Sequence, residues 1–580
     1  MATRRWGVLS MRRRVSGRTH LRAQENLKRC QVRVSIKRDS ASCLVACGFP
    51  NKYMKRCPQC GREYDNSMMF CLDDGAELLY GPASGDEPAT AILSDWVVSA
   101  SGEAKTAVFS AANPNSIAVL PFVNISPDPE NEYFCDGLAE ELLNALSKID
   151  KLKVAARTSA FSFKGKNKSV REIGEKLGVG KVLEGSVRRF GTKIRISIQL
   201  VNAADGFRLW SESYDREMQD IFQLQDEITL AVIDALKVEL LGPTRELVLK
   251  RYTDNAEAYE LYLKGRYHHY KYTAEGWKRA IELFEMALAK EPAYAPAYAG
   301  MSSALGCLSF FGFRPAEKSI PQSRAAAMGA LSIDNNLAEA HLSLALITFF
   351  FDWAWSRSEQ EFELAIALDP HNAEALSFYG IFLGREERFD EAIEYGERSL
   401  EIDPLSPLIN MNVGWTYFSA GVFDKAFERI ENMIEIEPEF YGAHWLAGAI
   451  HLTEGKYDDA AASLEKAVAN GGRQIVLSDL GSAYGLAGRK DNATEVLDQL
   501  LENREREYAP AFCIARVYCR LGENEKAIEW FETALEERNG EMVFLKGEIE
   551  GAADDDPLKS LGEDPRLVAI LDRVQSSGRS

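Results

Sequence analysis

Apolar positions follow two different periods along this chain. Between residues 117 and 240 they come in short continuous or alternating runs, and beyond residue 256 they take the spacing of helices. IAVLPFV (117–123) is an almost unbroken apolar run, which predicts a buried strand. YFCDGLAEELLNALSKI (133–149) sets Leu138, Leu142, Leu143 and Leu146 on one helical face. LKVAAR (152–157) reads as a strand. SVREIGEKLG (169–178) opens on a Ser cap and ends on a Gly, which predicts a short helix. Strands follow at 181–190, 193–202 and 207–217. In the middle one Ile194, Ile196, Ile198 and Leu200 alternate strictly, marking one buried face. Gly191-Thr192 and Asp205-Gly206 supply the tight turns between them. A long amphipathic helix is expected over 220–240. The order β-α-β-α-β-β-β-α describes a compact α/β domain, 116–241, with a single core.

From 256 onward the chain repeats itself. Ala392, Ala426, Ala460, Ala493 and Ala527 are spaced 34, 34, 33 and 34 residues apart. Gly421, Gly455, Gly488 and Gly522 keep the same period, as do Pro370, Pro404 and Pro438. Three independent markers with one period define an array of helical hairpins. Small residues such as Gly414, Gly448 and Ala515 in the first helix, and Ala426, Ala460 and Ala527 in the second, let the pair approach closely. Tyr417, Tyr484, Tyr518 and Phe531 fill the remaining space, and the Pro ends each second helix. One hairpin cannot bury its apolar face alone, so neighbours must stack.

This 34-residue signature resembles the tetratricopeptide repeat. Five regular copies cover 373–541 and three looser ones 256–372, giving eight over 256–541. A cap and tail follow at 542–580, with DDDPLKSLGEDPRLVAILDRV (554–574) as the cap. The α/β unit resembles the amino-terminal domain of TolB-like bacterial envelope proteins, in the version fused to such repeats. IAVLPFVNISPDPENEYFCDGLAEELLNALSKI and VLEGSVRRFGTKIRISIQLVNAADGFRLWSESYDRE carry that resemblance. It implies a bacterial origin. Members often place a sensory, DNA-binding or kinase module in front, followed by a membrane span. Here no run of 18 apolar residues occurs, and a cysteine module stands in front.

Charge divides the chain further. The net charge is −19, yet residues 1–53 carry +11, leaving −30 for the rest. So acidic a body repels phosphates, and nucleic acid is not an expected partner for it. The basic segment 1–53 reads as a disordered extension, and Met54 as an alternative start that opens directly on the cysteine module. That module, 54–80, precedes a Gly/Pro/Ala/Ser-rich linker at 81–115. Cys57-Pro-Gln-Cys60-Gly resembles the first knuckle of a zinc ribbon. Cys71-Leu-Asp-Asp74-Gly stands in the place of the second, with a carboxylate for one thiolate. Cys57, Cys60, Cys71 and Asp74 would hold a structural zinc, four protein ligands leaving no open position. The other cysteines are scattered, which is no disulfide framework. The fold class is therefore multidomain: a small zinc ribbon, the α/β domain, then an all-α tetratricopeptide solenoid.

Catalytic motifs are missing. LGVGKVLEG (177–185) fails the phosphate-loop pattern at Glu175 and Val182, and neither H-E-x-x-H nor G-x-S-x-G occurs. His444 and His451 lie seven apart on a repeat helix, as packing residues commonly do. No enzymatic activity is expected. The repeat resemblance implies instead a concave groove lined by first helices. Carried over copy by copy, it selects Ile381 and Arg385, then Met411, Trp415 and Phe418, then Trp445 and Leu452, then Phe512, Arg516 and Arg520. Aromatic anchors with Arg at both ends suit an extended or helical peptide of a partner protein, the Arg forking onto its carboxylates.

The expected function is a non-enzymatic adaptor, with self-association through the α/β domain as an additional expectation. The alternative is a regulator whose zinc ribbon contacts nucleic acid or the transcription machinery, motivated by Lys52, Lys55, Arg56 and Arg62. With neither signal peptide nor apolar span in the sequence, a cytoplasmic location is expected, with cell-envelope association as the alternative. Amino-terminal sequencing of the native protein should begin at Met54; any residue preceding it would show that the basic extension is made.

Overall fold

The computed structural model describes residues 55–56, 63–64, 79–80, 113–149, 151–238 and 242–576. They fall into two units, divided between Lys105 and Thr106. In the first unit β1 (Lys55–Arg56) is the centre of a small antiparallel sheet, between β2 (Glu63–Tyr64) and β3 (Leu79–Tyr80). Lys55 opposes Tyr64 on one side and Tyr80 on the other. The expected zinc ligands Cys57, Cys60, Cys71 and Asp74 lie outside the described residues.

The second unit opens with a mixed sheet. β4 (Asn113–Val119) runs parallel to β6 (Lys153–Val154) and to β7 (Val179–Phe190). β7, β8 (Lys193–Asn202) and β9 (Arg208–Glu217) form an antiparallel meander. The run expected as one strand over 117–123 is broken at Pro121, which has no N–H to give a ladder. It resumes on β7 as β5 (Val123–Asn124). Ile194, Ile196, Ile198 and Leu200 all point into the core, as their alternation predicts.

α1 (Glu132–Ser147) and α4 (Ile221–Ala235) contribute to the core on that face. α3 (Val170–Leu177) carries the Ser169–Glu172 capping box and ends on Gly178 at φ 64°. Two expectations are corrected here. The strand expected over 152–157 is only two residues long, because Arg157 starts a helix, α2 (Arg157–Phe161). Its turn is pinned from afar: the Ser159 N–H and hydroxyl both donate to Asp403 Oδ1, at 3.0 and 2.5 Å. Ser159 Oγ in turn accepts from the Leu405 N–H at 2.9 Å. The helix expected over 220–240 ends at Ala235, just before Lys237 turns to φ 57°. A further helix, α5 (Gly242–Val248), follows.

Among the described residues eight helical hairpins come next. They are α6 (Ala256–His269) with α7 (Ala274–Lys290), α8 (Ala295–Phe310) with α9 (Ala316–Ile333), and α10 (Ala338–Ile347) with α11 (Trp355–Leu368). Then come α12 (Ala373–Arg385) with α13 (Phe389–Ile402), α14 (Pro407–Ser419) with α15 (Phe423–Ile436), and α16 (Tyr441–Thr453) with α17 (Tyr457–Ala469). The last two are α18 (Gln474–Leu486) with α19 (Lys490–Arg506), and α20 (Ala511–Arg520) with α21 (Asn524–Glu536). Gly421, Gly455, Gly488 and Gly522 sit between the helices of four hairpins at φ 72–81°. That left-handed turn is the physical reason for their period. Gly414 and Gly448 mark close approaches, since a Cβ there would stand 2.4 and 2.5 Å from Leu446 and Leu464. Three short helices close the chain: α22 (Leu545–Gly551), α23 (Pro557–Leu561) and α24 (Pro565–Ser576). No helix among the described residues is long and apolar enough to cross a membrane.

Two packing features go beyond a linear stack. First, besides a small core around Ala118, Phe163, Ile173 and Val182, the α/β domain has a larger core that it shares with the repeats. Tyr133, Phe134 and Leu138 of α1 belong to one apolar cluster with Tyr259, Tyr262 and Leu263 of α6 and with Trp277 and Phe284 of α7. Second, the solenoid turns back on itself. After α10 the helix widens into a π-turn (Thr348–Asp352), and Trp353 takes φ 58°. Phe349 and Phe350 there meet Phe544 at 6.3 and 6.1 Å between ring centroids. Arg538 lies over Trp353 at 4.3 Å, and Trp355 Nε1 donates to the Gln575 carbonyl at 3.3 Å. A little further round, Gly312 meets Pro510 and Arg473 lies over Phe313.

The shared core is directly testable. A Cβ at Gly137 of α1 would stand 2.8 Å from Leu263. Gly137→Val should therefore lower stability by about 1–3 kcal/mol. In hydrogen exchange the sheet and α6–α7 should lose protection together; loss confined to one of them would mean that the two cores are separate.

Candidate functional site

The turn lines a partly open cavity of about 1680 Å³. All ten groove residues selected from the sequence line it: Ile381, Arg385, Met411, Trp415, Phe418, Trp445, Leu452, Phe512, Arg516 and Arg520. Their exposure differs. Trp415, Phe418 and Trp445 are half-buried and form a cluster, Trp415 standing 4.9 Å from Trp445 and 5.4 Å from Phe418. Trp445 is fixed by its Nε1, which donates to Asp479 Oδ2 at 2.6 Å. Ile381 and Leu452 are half-buried beside them. Met411 and Phe512, by contrast, are core residues, 5% and 1% exposed, that reach the cavity only with an edge.

The three arginines are not free forks. Arg385 is bonded to Glu386 and lies over the Trp355 ring at 3.7 Å. Arg516 is paired with Asp479 and, at 3.1 Å, with Glu548. Arg520 is paired with Asp556 at 3.1 Å. Burial demands such partners, because an unpaired guanidinium away from water is costly. The expectation that these arginines wait for a ligand's carboxylate is corrected accordingly.

Copy-by-copy reading misses the rest of the wall. Arg157, Thr158 and Phe161 of α2 line the cavity, so the α/β domain forms part of it. Arg157 donates to Glu140 at 2.9 Å and stacks on Tyr270 at 3.7 Å. Burial works against a charge on Glu140, but Arg266 and Arg157 beside it hold its carboxyl below the ordinary range. An aromatic run continues from Tyr272 through Trp277, Phe311, Phe310 and Phe350 to Phe544, with successive centroids 4.6–6.4 Å apart. The density of rings in TFFFDWAW (348–355) was the available signal. What could not be read was that the closing turn brings it opposite the cap.

Two carboxyls that line this interior, Glu541 and Glu548, are held above the ordinary range by burial. Burial pushes Glu541 up to about 7, with the Glu548 charge adding to the effect and Arg516 opposing it. Outside the residues that line the cavity, burial likewise lifts Glu374 to about 7. The nearest approach to a nucleophile constellation is inert. His269 Nε2 stands 3.4 Å from Ser303 Oγ, but burial and Arg266 lower its pKa to about 3. Burial and Glu374 push the Cys307 thiol up to about 12. Near neutral pH the His269 imidazole is uncharged but too weakly basic to take a proton, and the Cys307 thiol keeps its own. His444 and His451 are half-buried on α16. Cys513 and Cys519 are buried, as expected of small packing residues.

Comparison with known proteins agrees with the repeat geometry. A tetratricopeptide-repeat model matches residues 355–407, 414–474 and 478–541, and the hairpins there are tetratricopeptide repeats. Residues 113–231 match the second domain of HilA/YgeH-like transcriptional regulators. A putative adenylate cyclase 3 of Rhizobium meliloti is 38% identical over 235 residues, 40% of this chain and 40% of that protein. The chain thus spans about two fifths of the length of this curated relative. Among solved structures, PilF of Pseudomonas aeruginosa is 22% identical, covering 37% of this chain and 93% of that one, with a TM-score of 0.28. Yeast Tom70 is 14% identical, covering 60% and 82%, with a TM-score of 0.35.

A raised carboxyl pKa has a definite sign. Glu541 holds its proton more tightly folded than unfolded, so its contribution is complete below 4.5 and is lost as pH rises through about 7. Between about pH 5.5 and 8.5 the wild type should lose more stability than Glu541→Gln. Parallel denaturant curves at the two pH values would refute the assignment.

Proposed function

We propose that this chain is a non-enzymatic scaffold that holds a segment of a partner polypeptide in the cavity of its repeat turn. The observation that carries this reading is the half-buried Trp415–Phe418–Trp445 cluster on the cavity wall. Rigid aromatic side chains give large contact area at low entropy cost, and such residues dominate binding energy in protein interfaces. The mechanism is docking: Asp479 orients Trp445, the closed turn keeps the wall rigid, and no bond is made or broken. The inert state of His269 and Cys307 favours a binding role over catalysis. A putative cyclase as relative is compatible with it, because the likeness covers only part of that protein.

A second reading is a regulator. It is favoured by the likeness of 113–231 to a domain of transcriptional regulators. In it the amino-terminal cysteine module, with zinc on Cys57, Cys60, Cys71 and Asp74, contacts nucleic acid or the transcription machinery while the repeats sense a partner.

The test uses the full chain, because removing the α/β domain would uncover Tyr259, Tyr262 and Leu263. Tagged wild type is compared with a Trp415→Ala, Trp445→Ala variant in pull-downs from the native cell, with circular dichroism to check folding. A partner retained by the wild type should be lost by the variant about tenfold or more. Equal recovery with both chains would move the binding surface elsewhere.

A further inference from the structure

The cavity is electrically uneven along its length. At one end Lys166, Lys271 and Arg473 have no carboxylate within ion-pair distance among the described residues. Arg473 lies over Phe313 and Lys271 over Tyr267 instead. At the other end the carboxylates of Asp479, Glu541, Glu548 and Asp556 gather round only two guanidiniums, Arg516 and Arg520. α18 shows the separation: Arg473 is its cap and Asp479 lies six residues on, about 9 Å along the axis. Arg520 is a further turn away from Arg516 on α20.

The acidic end is also unfinished. Arg520 is 8% exposed, yet its Nε and Nη1 make no hydrogen bond. Ser482 Oγ is likewise buried without a hydrogen-bond partner, whereas Glu548 Oε2 is held by Arg516 Nε. All of them line the cavity. Buried polar atoms are normally satisfied, so an unsatisfied group on a cavity wall points to something that fills it. The groups left over are guanidinium donors of Arg520 and the Ser482 hydroxyl, while the acids outnumber the guanidiniums around them. A positively charged group with carbonyls next to it meets both needs. The wall that carries no charge is aromatic, with Trp415, Phe418 and Trp445 among its rings.

Building on the docking reading above, we propose that the cavity takes a dipolar polypeptide segment. Its basic end faces Glu541 and Glu548, its aromatic or branched aliphatic centre lies against Trp415 and Trp445, and its acidic end faces Lys166, Lys271 and Arg473. In an extended chain a separation of about 9–15 Å between the charged ends corresponds to about three to five residues. Because the turn is closed by the contacts of Phe349, Phe350 and Phe544, the segment enters lengthwise.

A library of random twelve-residue peptides with free amino termini, made by messenger-RNA display, tests this on the full chain. Three variants run alongside: Glu541→Gln with Glu548→Gln, Lys166→Glu with Lys271→Glu, and Trp415→Ala with Trp445→Ala. The second changes exposed residues only and so separates charge from folding. The wild type should enrich peptides with a basic group, an apolar centre and an acidic group in one fixed order, about tenfold over input. The first variant should lose the basic preference and the second the acidic one. Enrichment without charge order, or with the same order on both charge variants, overturns the dipolar proposal and leaves the docking reading standing. No enrichment over the tryptophan variant removes both.

Discussion

The contact between the π-turn at 348–352 and the carboxy-terminal cap is what the rest of this molecule depends on. A stack of helical hairpins is ordinarily an open spiral in which each repeat meets only its neighbours. Here Phe349 and Phe350 meet Phe544, Arg538 covers Trp353, and Lys546 bridges to Glu387 at 2.8 Å. These contacts join residues about 160 to 195 positions apart. They deepen a concave surface into a partly open cavity. Burial then explains the chemistry inside: guanidiniums must be paired, Glu541 and Glu548 resist ionising, and aromatic faces are held against each other.

The α/β domain is part of the same construction. It shares its larger core with α6 and α7, and its short helix α2 is tied by Ser159 to Asp403, well over two hundred residues along the chain. Through Arg157, Thr158 and Phe161 it supplies a piece of the cavity wall. Any change in the cavity is thus mechanically adjacent to the sheet, and the sheet cannot move far without disturbing the first two hairpins. This makes the division into a recognition module and a separate binding module a poor description of how these residues are held together.

How much of this was legible in the sequence follows from the range of the interactions involved. The alternation of Ile194, Ile196, Ile198 and Leu200, the cap at Ser169 and the 34-residue period of glycines report local rules, and their elements appear where local rules put them. Arg157–Phe161 was misread because a carboxylate far along the chain sets its turn. The apolar run 117–123 divides into two strands because Pro121 has no N–H to give the ladder. For the site, the ten groove positions could be found because each repeat presents the same helix face. That Arg516 and Arg520 are already paired could not be found that way, since Glu548 and Asp556 come from the irregular cap. The opposite wall, from Tyr272 to Phe544, exists only once the turn has closed.

Closure also constrains how this chain can vary. In an open array a whole 34-residue unit can be gained or lost, because every interface it breaks is remade by the next copy. Here the hairpins from α12 to α20 lie between two surfaces that must meet, the aromatic π-turn and the cap. One unit more or fewer would rotate Phe544 away from Phe349 and Phe350 and leave Arg538 without Trp353. The number of repeats in this arc is therefore a fixed integer set by geometry, and variation in its descendants is confined to substitutions within each copy.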